Sequence, residues 1–391
     1  MSTIKVNAIK NTSTDDGGIA IDNSGHVQVD GVQLPTAGAF SGRNLIINGA
    51  QEVDQRGSGS SAIGTLTNGK YITDRWNVRG EGNTTGQCSQ SANVPDGFVN
   101  SLLIEVGATA VARSANTNRF IRHNMEGYSM RSLRWGTSAA KAATISFWIK
   151  SSLTGTYSFA FFSGSLDQHY ATNYTIDTAD TWEFKTISVP GPTSGTFRTD
   201  NGLALYIQWD LGTGSNYQTS TLNQWASGDK RCSNNAVDFF NTANATLRIT
   251  GIQFEMGEKV TSFEYRSYGD ELARCQRYFC KSYNDGVNPG TNTSIGIKSI
   301  RNYSSDARSD HSTTCQFPVT MRAAPTVVFY AKGGTQDRFS TGNSTYGVFS
   351  GTNTISSASN HGMTGLGGVS LGTSVSANSF TYFHFTAAAE L

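Results

Sequence analysis

Charged side chains are scarce in this chain of 391 residues. Only 15% are Asp, Glu, Lys or Arg, where soluble domains carry roughly 25%. That excludes a body built from charged amphipathic helices, whose outward faces need such residues. The 30 basic and 29 acidic residues nearly cancel, leaving a net charge of +1. No long-range field remains to draw in nucleic acid or acidic lipid, so neither is expected as a partner. Long apolar runs are missing as well. None approaches the roughly 18 residues of a spanning helix, so no membrane insertion is expected. No apolar core follows Met1, and no secretory leader is expected. The cysteines, Cys88, Cys232, Cys275, Cys280 and Cys315, are odd in number and show no CxxC spacing. A disulfide framework is disfavoured, and reduced thiols made in a cytoplasm are the expectation.

In place of charge the chain has Ser, Thr, Asn and 42 glycines, beside an ordinary 37% of apolar residues. This composition suits turn-rich sheets, and the length suits two or three domains. In residues 1–40, Ile19 and Ile21 alternate with polar neighbours, as do Val27 and Val29. Asp22-Asn23-Ser24-Gly25 between them is a turn signal. A hairpin with one apolar face follows, too small to be stable alone, so that face needs a partner. Residues 41–266 hold many short alternating runs, such as Ile145, Phe147 and Ile149 against Ser146, Trp148 and Lys150. They predict a jelly-roll β-sandwich. A short helix is predicted within 267–282, capped by Ser267 with Asp270 three residues on, and suited to a spacer or a packing element. Strand patterns return over 283–391, in 325–330 and in 379–385, and predict a second, C-terminal β-sandwich. The fold class is all-β.

Catalytic and metal signatures are weak. Gly64-Thr65-Leu66-Thr67-Asn68-Gly69-Lys70 nearly spells a phosphate loop, but Tyr71 stands where Ser or Thr would hold magnesium. The six histidines lie far apart, and His123, His169 and His384 read as surface or satisfied sheet residues. No nucleophile elbow occurs. Glu255, Glu183, Asp167 and Asp210 fall on or near strands, so a glycosidase-like carboxylate pair is conceivable but not indicated. No metal or cofactor is expected. The positive signal is aromatic. Sugar-binding sandwiches stack a ring on the apolar face of a pyranose, and amides and carboxylates read its hydroxyls. Trp148, Tyr206, Gln208, Gln253 and Glu255 fall opposite the predicted core positions of their strands, and would share one face if those strands share a sheet. Subunit contacts or a second packing layer would bury the same residues. Trp225, in a loop-like stretch, is the candidate exposed ring, whereas Trp76, Trp182 and Trp209 read as core.

Several segments carry a family resemblance. Asn44-Leu45-Ile46-Ile47-Asn48-Gly49 with Asp74-Arg75-Trp76, Ile249 to Gly257, Phe263 to Phe279, and Phe317 to Thr326 resemble motifs of tail-fibre and virion-fibre proteins of tailed bacteriophages. The similarity is to those of marine and cyanobacterial phages. It implies a carbohydrate-binding-module-like jelly roll, location in the virion and assembly as a homotrimer, but no defined set of ligand residues. The chain is therefore expected to be a non-enzymatic fibre protein for host attachment. Residues 1–40 would dock on a virion protein, and the glycan would be host-surface polysaccharide or lipopolysaccharide. The receptor-facing end is expected in 283–391, where Gly/Ser/Thr-rich stretches near 342–344 and 362–368 read as loop tips or as plain connections. The alternatives are a structural or capsid-decorating fibre, and a polysaccharide-degrading tailspike, although no β-helix repeat is visible.

Overall fold

The computed structural model describes residues 8–10, 18–21, 27–29, 32–33, 42–57, 69–82, 86–301, 308–311, 315–342, 355–357, 360–367, 369–375 and 380–391. The chain begins with a four-stranded antiparallel sheet of β1 (Ala8–Lys10), β2 (Gly18–Ile21), β3 (Val27–Val29) and β4 (Val32–Gln33). The expected hairpin is its middle pair, with Ile19 opposite Val29 and Ile21 opposite Val27; its turn, 22–26, lies outside the described residues. Ile19 also pairs with Ile9. Directly opposed residues share a face, as do residues two apart, so Ile9, Ile19 and Ile21 form one apolar row. They are 63, 45 and 47% exposed.

The jelly roll follows. Its first strands are β5 (Lys70–Tyr71), β6 (Trp76–Gly80), β7 (Gly86–Ser91), β8 (Ser101–Val106) and β9 (Arg119–Glu126). Next come β10 (Ala143–Ser151), β11 (Gly155–Ser163), β12 (Gln168–Ile176), β13 (Glu183–Val189) and β14 (Leu203–Asp210). The last are β15 (Gln218–Thr219), β16 (Trp225–Ser227), β17 (Cys232–Ser233) and β18 (Thr246–Met256). One sheet has the order β13-β10-β18-β8-β7, the other β16-β12-β11-β14-β9-β6-β5. Alternation places Ile145, Phe147 and Ile149 of β10 in the core between them, against Phe159 and Phe161 of β11 and Trp209 of β14. Phe159 and Trp209 rings meet at 5.0 Å and Phe147 and Trp209 at 5.4 Å, both edge to face. Truncating such a fully buried aromatic costs roughly 3–5 kcal/mol.

The two outer faces differ. On the seven-stranded sheet, residues 212–235 fold back as a cover. Ser233 N donates to Ser158 Oγ at 2.9 Å and Asn223 N to Ala171 O at 2.8 Å. Phe162, Ala160 and Ala171 are buried there, with Leu222 and Tyr206 packed on them.

The helix Tyr268–Gln276 starts where the sequence predicts, with Asp270 N donating to Ser267 Oγ at 3.3 Å. It packs: Cys275 and the following Tyr278 join Ile47 and Val53 in a small core. Beyond it, the strand Phe380–Ala388 pairs with Phe279–Lys281, Lys298–Arg301, Thr326–Tyr330 and Ser340–Gly342. Phe317, Met321, Phe329, Phe383 and Phe385 form the core there. This region is bonded firmly to the jelly roll. Arg277 Nε donates to Glu126 at 3.0 Å and Tyr278 Oη to the same carboxylate at 2.6 Å. Arg75 pairs with Glu390 and lies 3.5 Å over the Tyr278 ring. Burial pushes the Tyr278 hydroxyl up to about 12. Tyr71 Oη and Asn124 Nδ2 donate to Leu391 O at 3.1 and 2.7 Å. All five cysteines are buried and unpaired, and no helix among the described residues is long and apolar enough to cross a membrane.

Candidate functional site

Three of the segments that carry the resemblance, 44–49, 249–257 and the start of 263–279, meet along β18, the central strand of the five-stranded sheet, and their polar residues hold structure. Asn44 Oδ1 accepts from Phe254 N at 3.1 Å while its Nδ2 donates to Ile252 O at 3.0 Å, which seats the 44–49 segment beside β18. Trp76 Nε1 donates to Asn48 O at 2.8 Å. Glu264 accepts from Asn44 N at 2.8 Å and Arg266 donates to Ile46 O at 2.9 Å, so the 257–266 segment is drawn back over the outer face of the sheet.

This segment forms one wall of a groove of about 800 Å³ on that face. Its floor begins with Trp148 of β10, whose cross-strand partner is Phe184 of β13, with ring centroids 5.3 Å apart. Phe98, Phe263 and Tyr265 continue the aromatic surface at centroid distances of 4.9–5.7 Å. The two groups meet over Gly251. Here β18 bulges, with Gly251 and Ile252 opposite the single residue Phe147 of β10, and Gly251 has φ of +61°. A Cβ there would lie 2.6 Å from Phe98 Cζ and 3.0 Å from Trp148 Cδ1, so only glycine lets both rings close in. Tyr265 and Phe184 are 59 and 44% exposed. Around the rings stand Ser146, Thr186, Thr261, Asp96 and Glu258. Apolar ring faces beside hydroxyl and carboxylate groups fit a saccharide, whose C–H face stacks while its hydroxyls bond.

Of the residues singled out from sequence, Trp148 is in the groove. Gln253 and Glu255 lie in the same sheet but are buried beneath the groove wall. Gln253 Oε1 accepts from Glu264 N at 2.8 Å, and Glu255 accepts from Thr261 N at 2.9 Å and Thr261 Oγ1 at 2.6 Å. They position the wall and are closed to ligand. Tyr206 and Gln208 belong to β14, in the other sheet. The expectation of one shared face is thus corrected: the strands pair into different sheets, and these side chains point to the opposite side of the sandwich. Gln208 is fully buried. Trp225 is corrected too. It is half-buried against Trp135, Tyr170 and Phe197, and its Nε1 donates to Pro190 O at 2.6 Å. Trp76 and Trp209 are core, but Trp182 is only partly buried and donates to Asn93 Oδ1 at 3.2 Å. Phe98, Phe184, Phe263 and Tyr265 escaped the sequence reading as site residues. The pairing of Phe184 with Trp148 would have revealed one of them, but needs the register.

The four strand carboxylates each brace local structure. Glu183 accepts from Asp177 N and Thr178 N at 2.9 and 2.8 Å and pairs with Lys185 at 2.6 Å. Asp167 accepts from Ser163 Oγ, Ser165 Oγ and Thr196 N at 2.5–2.9 Å. Asp210 accepts from Gly212 N and Thr213 N at 3.1 and 2.9 Å, and burial pushes it up to about 6. Glu255 holds the groove wall as described. His384 is satisfied by Ser282 Oγ and Thr293 O at 3.0 and 3.1 Å, whereas buried His169 is met only in part, with Nδ1 bonded to Gly228 O at 2.9 Å and Nε2 without a partner. His123 departs from the expectation. It is buried edge-on to Trp76 at 5.1 Å, and neither ring nitrogen makes a well-formed hydrogen bond. Among the described residues no cluster of three or more His, Cys, Asp or Glu is placed to hold a metal.

No family model and no curated protein matches the chain. Solved structures do. The enzymatically active domain of tailspike protein 4 from bacteriophage CBA120 is 11% identical over 55% of this chain and 21% of that one, with a TM-score of 0.30. A family 11 carbohydrate-binding module from Clostridium thermocellum, bound to a mixed-linked tetrasaccharide, is 13% identical over 52% of this chain and 100% of that one, with a TM-score of 0.25. A xylan-binding module from Paenibacillus barcinonensis Xyn10C is 11% identical over 47% of this chain and 92% of that one, also at 0.25. The chain spans about a fifth of the tailspike chain it matches. Similarity at this level says nothing of what this chain binds.

Proposed function

We propose that this chain is a non-enzymatic virion fibre protein of a tailed phage that attaches to host-surface polysaccharide or lipopolysaccharide through the groove on the five-stranded sheet. The continuous aromatic surface of Phe184, Trp148, Phe98 and Tyr265, bordered by hydroxyls, carries the reading. The strand carboxylates Glu183, Asp167, Asp210 and Glu255 are each engaged in bracing a loop or turn, which leaves Asp96 and Glu258 as the acids at the groove. The exposed row of Ile9, Ile19 and Ile21 supports assembly as a homotrimer, with the N-terminal sheet docking on a virion protein. Three weak sites on one particle would then act by avidity.

The 283–391 domain is the second candidate for the receptor-facing end. Of its predicted loop tips at 342–344 and 362–368, residues 362–364 join the paired strands Asn360–His361 and Gly365–Gly367, whereas 343–344 and 368 lie outside the described residues. Exchanging 283–391 for the matching domain of a fibre with another host separates the two: host range stays with the chain that keeps the groove. A glycan array read together with reducing-end release tests the rest. Binding without release is expected, and release of oligosaccharide would sink the non-enzymatic reading. Light scattering should give three times the chain mass, and a stable monomer at micromolar concentration would remove the trimer. A chain lacking residues 1–40 should stay folded and fail to enter particles.

A further inference from the structure

The opposite face of the sandwich carries a cation without an anion. Arg122 of β9 lies at the margin of the cover, its guanidinium 3.8, 4.6 and 5.1 Å from the ring centroids of Phe120, Tyr206 and Phe162. Nε and Nη2 both donate to Gln208 Oε1, at 3.2 and 2.7 Å. No carboxylate among the described residues lies within ion-pair distance. The acids nearby are engaged elsewhere. Glu81 pairs with Arg79, and Asp229 accepts from Arg231 Nε and Nη2 at 2.8 and 2.6 Å. Gln208 Nε2, next to the guanidinium, is buried without an acceptor.

Burying a charge is costly unless an opposite charge or several hydrogen bonds meet it. Burial and the neighbouring Arg231 push Arg122 down to about 9, so the site holds its charge under strain. The aromatic faces offset part of this by cation–π attraction. They also leave the guanidinium, a rigid fork of donors suited to planar oxyanions, with one neutral acceptor. Arg122 and Tyr206 both remain partly open to solvent, so a ring is available beside the charge. We propose that Arg122, seated by Gln208 and flanked by Tyr206, binds the carboxylate or sulfate of an acidic saccharide, at a second site on the sheet face opposite the groove.

This site does not rest on the groove, and the two can fail separately. Titration of the full-length protein with an oligogalacturonate, a sulfated oligosaccharide, a neutral oligosaccharide and inorganic sulfate tests it, read by calorimetry and by the Arg122 Nε–H resonance. One or both acidic saccharides should bind and move that resonance, and the neutral one should not. Arg122→Gln should weaken acidic-saccharide binding at least tenfold, and Arg122→Lys should retain part of it. If neither acidic saccharide moves the resonance, or Arg122→Gln binds as well as the parent, the site is refuted. Equal affinity for inorganic sulfate and the sulfated saccharide would refute a saccharide site. Should Arg122→Gln fail to fold, the resonance of the unaltered protein decides alone.

Discussion

The two outer faces of the jelly roll start from the same alternation and end differently. The seven-stranded sheet turns Phe162, Ala160 and Ala171 outward and then hides them under its own 212–235 segment. The five-stranded sheet turns Trp148 and Phe184 outward and leaves them lining an open groove, with a wall pinned at its edge. Alternation alone therefore does not separate a second packing layer from a binding floor. What separates them is whether the chain returns to cover the face, and the buried amide and carboxylate of Gln253 and Glu255 show how a wall can be fixed without closing it.

The largest effect expected from breaking this contrast is on the covered face. Phe162→Ala should cost roughly 3–5 kcal/mol in urea unfolding and leave the affinity of the folded protein for groove ligands unchanged. Lost affinity in a folded variant would show that the faces are not independent. Trp148→Ala should do the reverse. Calorimetry should show affinity for groove ligands falling about thirtyfold, near 2 kcal/mol, with the melting temperature almost unmoved. Glu255→Ala lies between. It strands the Thr261 donors under the wall, and should cost about 1–3 kcal/mol while weakening binding as the wall loosens.

The smallest effect concerns His123, between the faces. Burial holds its pKa well below 6.5. Folded His123 stays neutral where the unfolded chain takes up a proton, so its contribution is present above about pH 6.5 and is lost as pH falls. His123→Phe should raise stability by roughly 1 kcal/mol at pH 7, where an unsatisfied polar ring is removed. Melting curves should show the gap over the parent widening from pH 6.5 to 4.5; a constant gap would mean that His123 does not titrate in this way.

The class of fold was legible because period-two alternation is local: Ile145, Phe147 and Ile149 fall in the core as read, and Ser267 caps the helix as read. Trp148 was legible as an outward ring for the same reason. The site as a whole was not, since strand order and register are set by long-range pairing. Tyr206 and Trp148 look alike in their strands, and only the separation of β14 from β10 into different sheets places them on opposite sides. Trp225 misled because a Gly-rich neighbourhood reads as loop, whereas a three-residue strand seats it against Trp135 and Tyr170.

The bonds that Tyr71, Asn124, Arg56 and Arg75 make to residues 390–391 have a mechanical consequence. Residues 279–391 leave the jelly roll through the helix Tyr268–Gln276, and residues 389–391 come back to the same body. The two attachments meet in one small core, where Leu272 and Leu391 pack on Cys275 and Tyr278 and Ala389 N donates to Tyr278 O at 2.7 Å. Drag or tension on residues 279–391 would fall on that one junction, where the helix and residues 389–391 carry the load together.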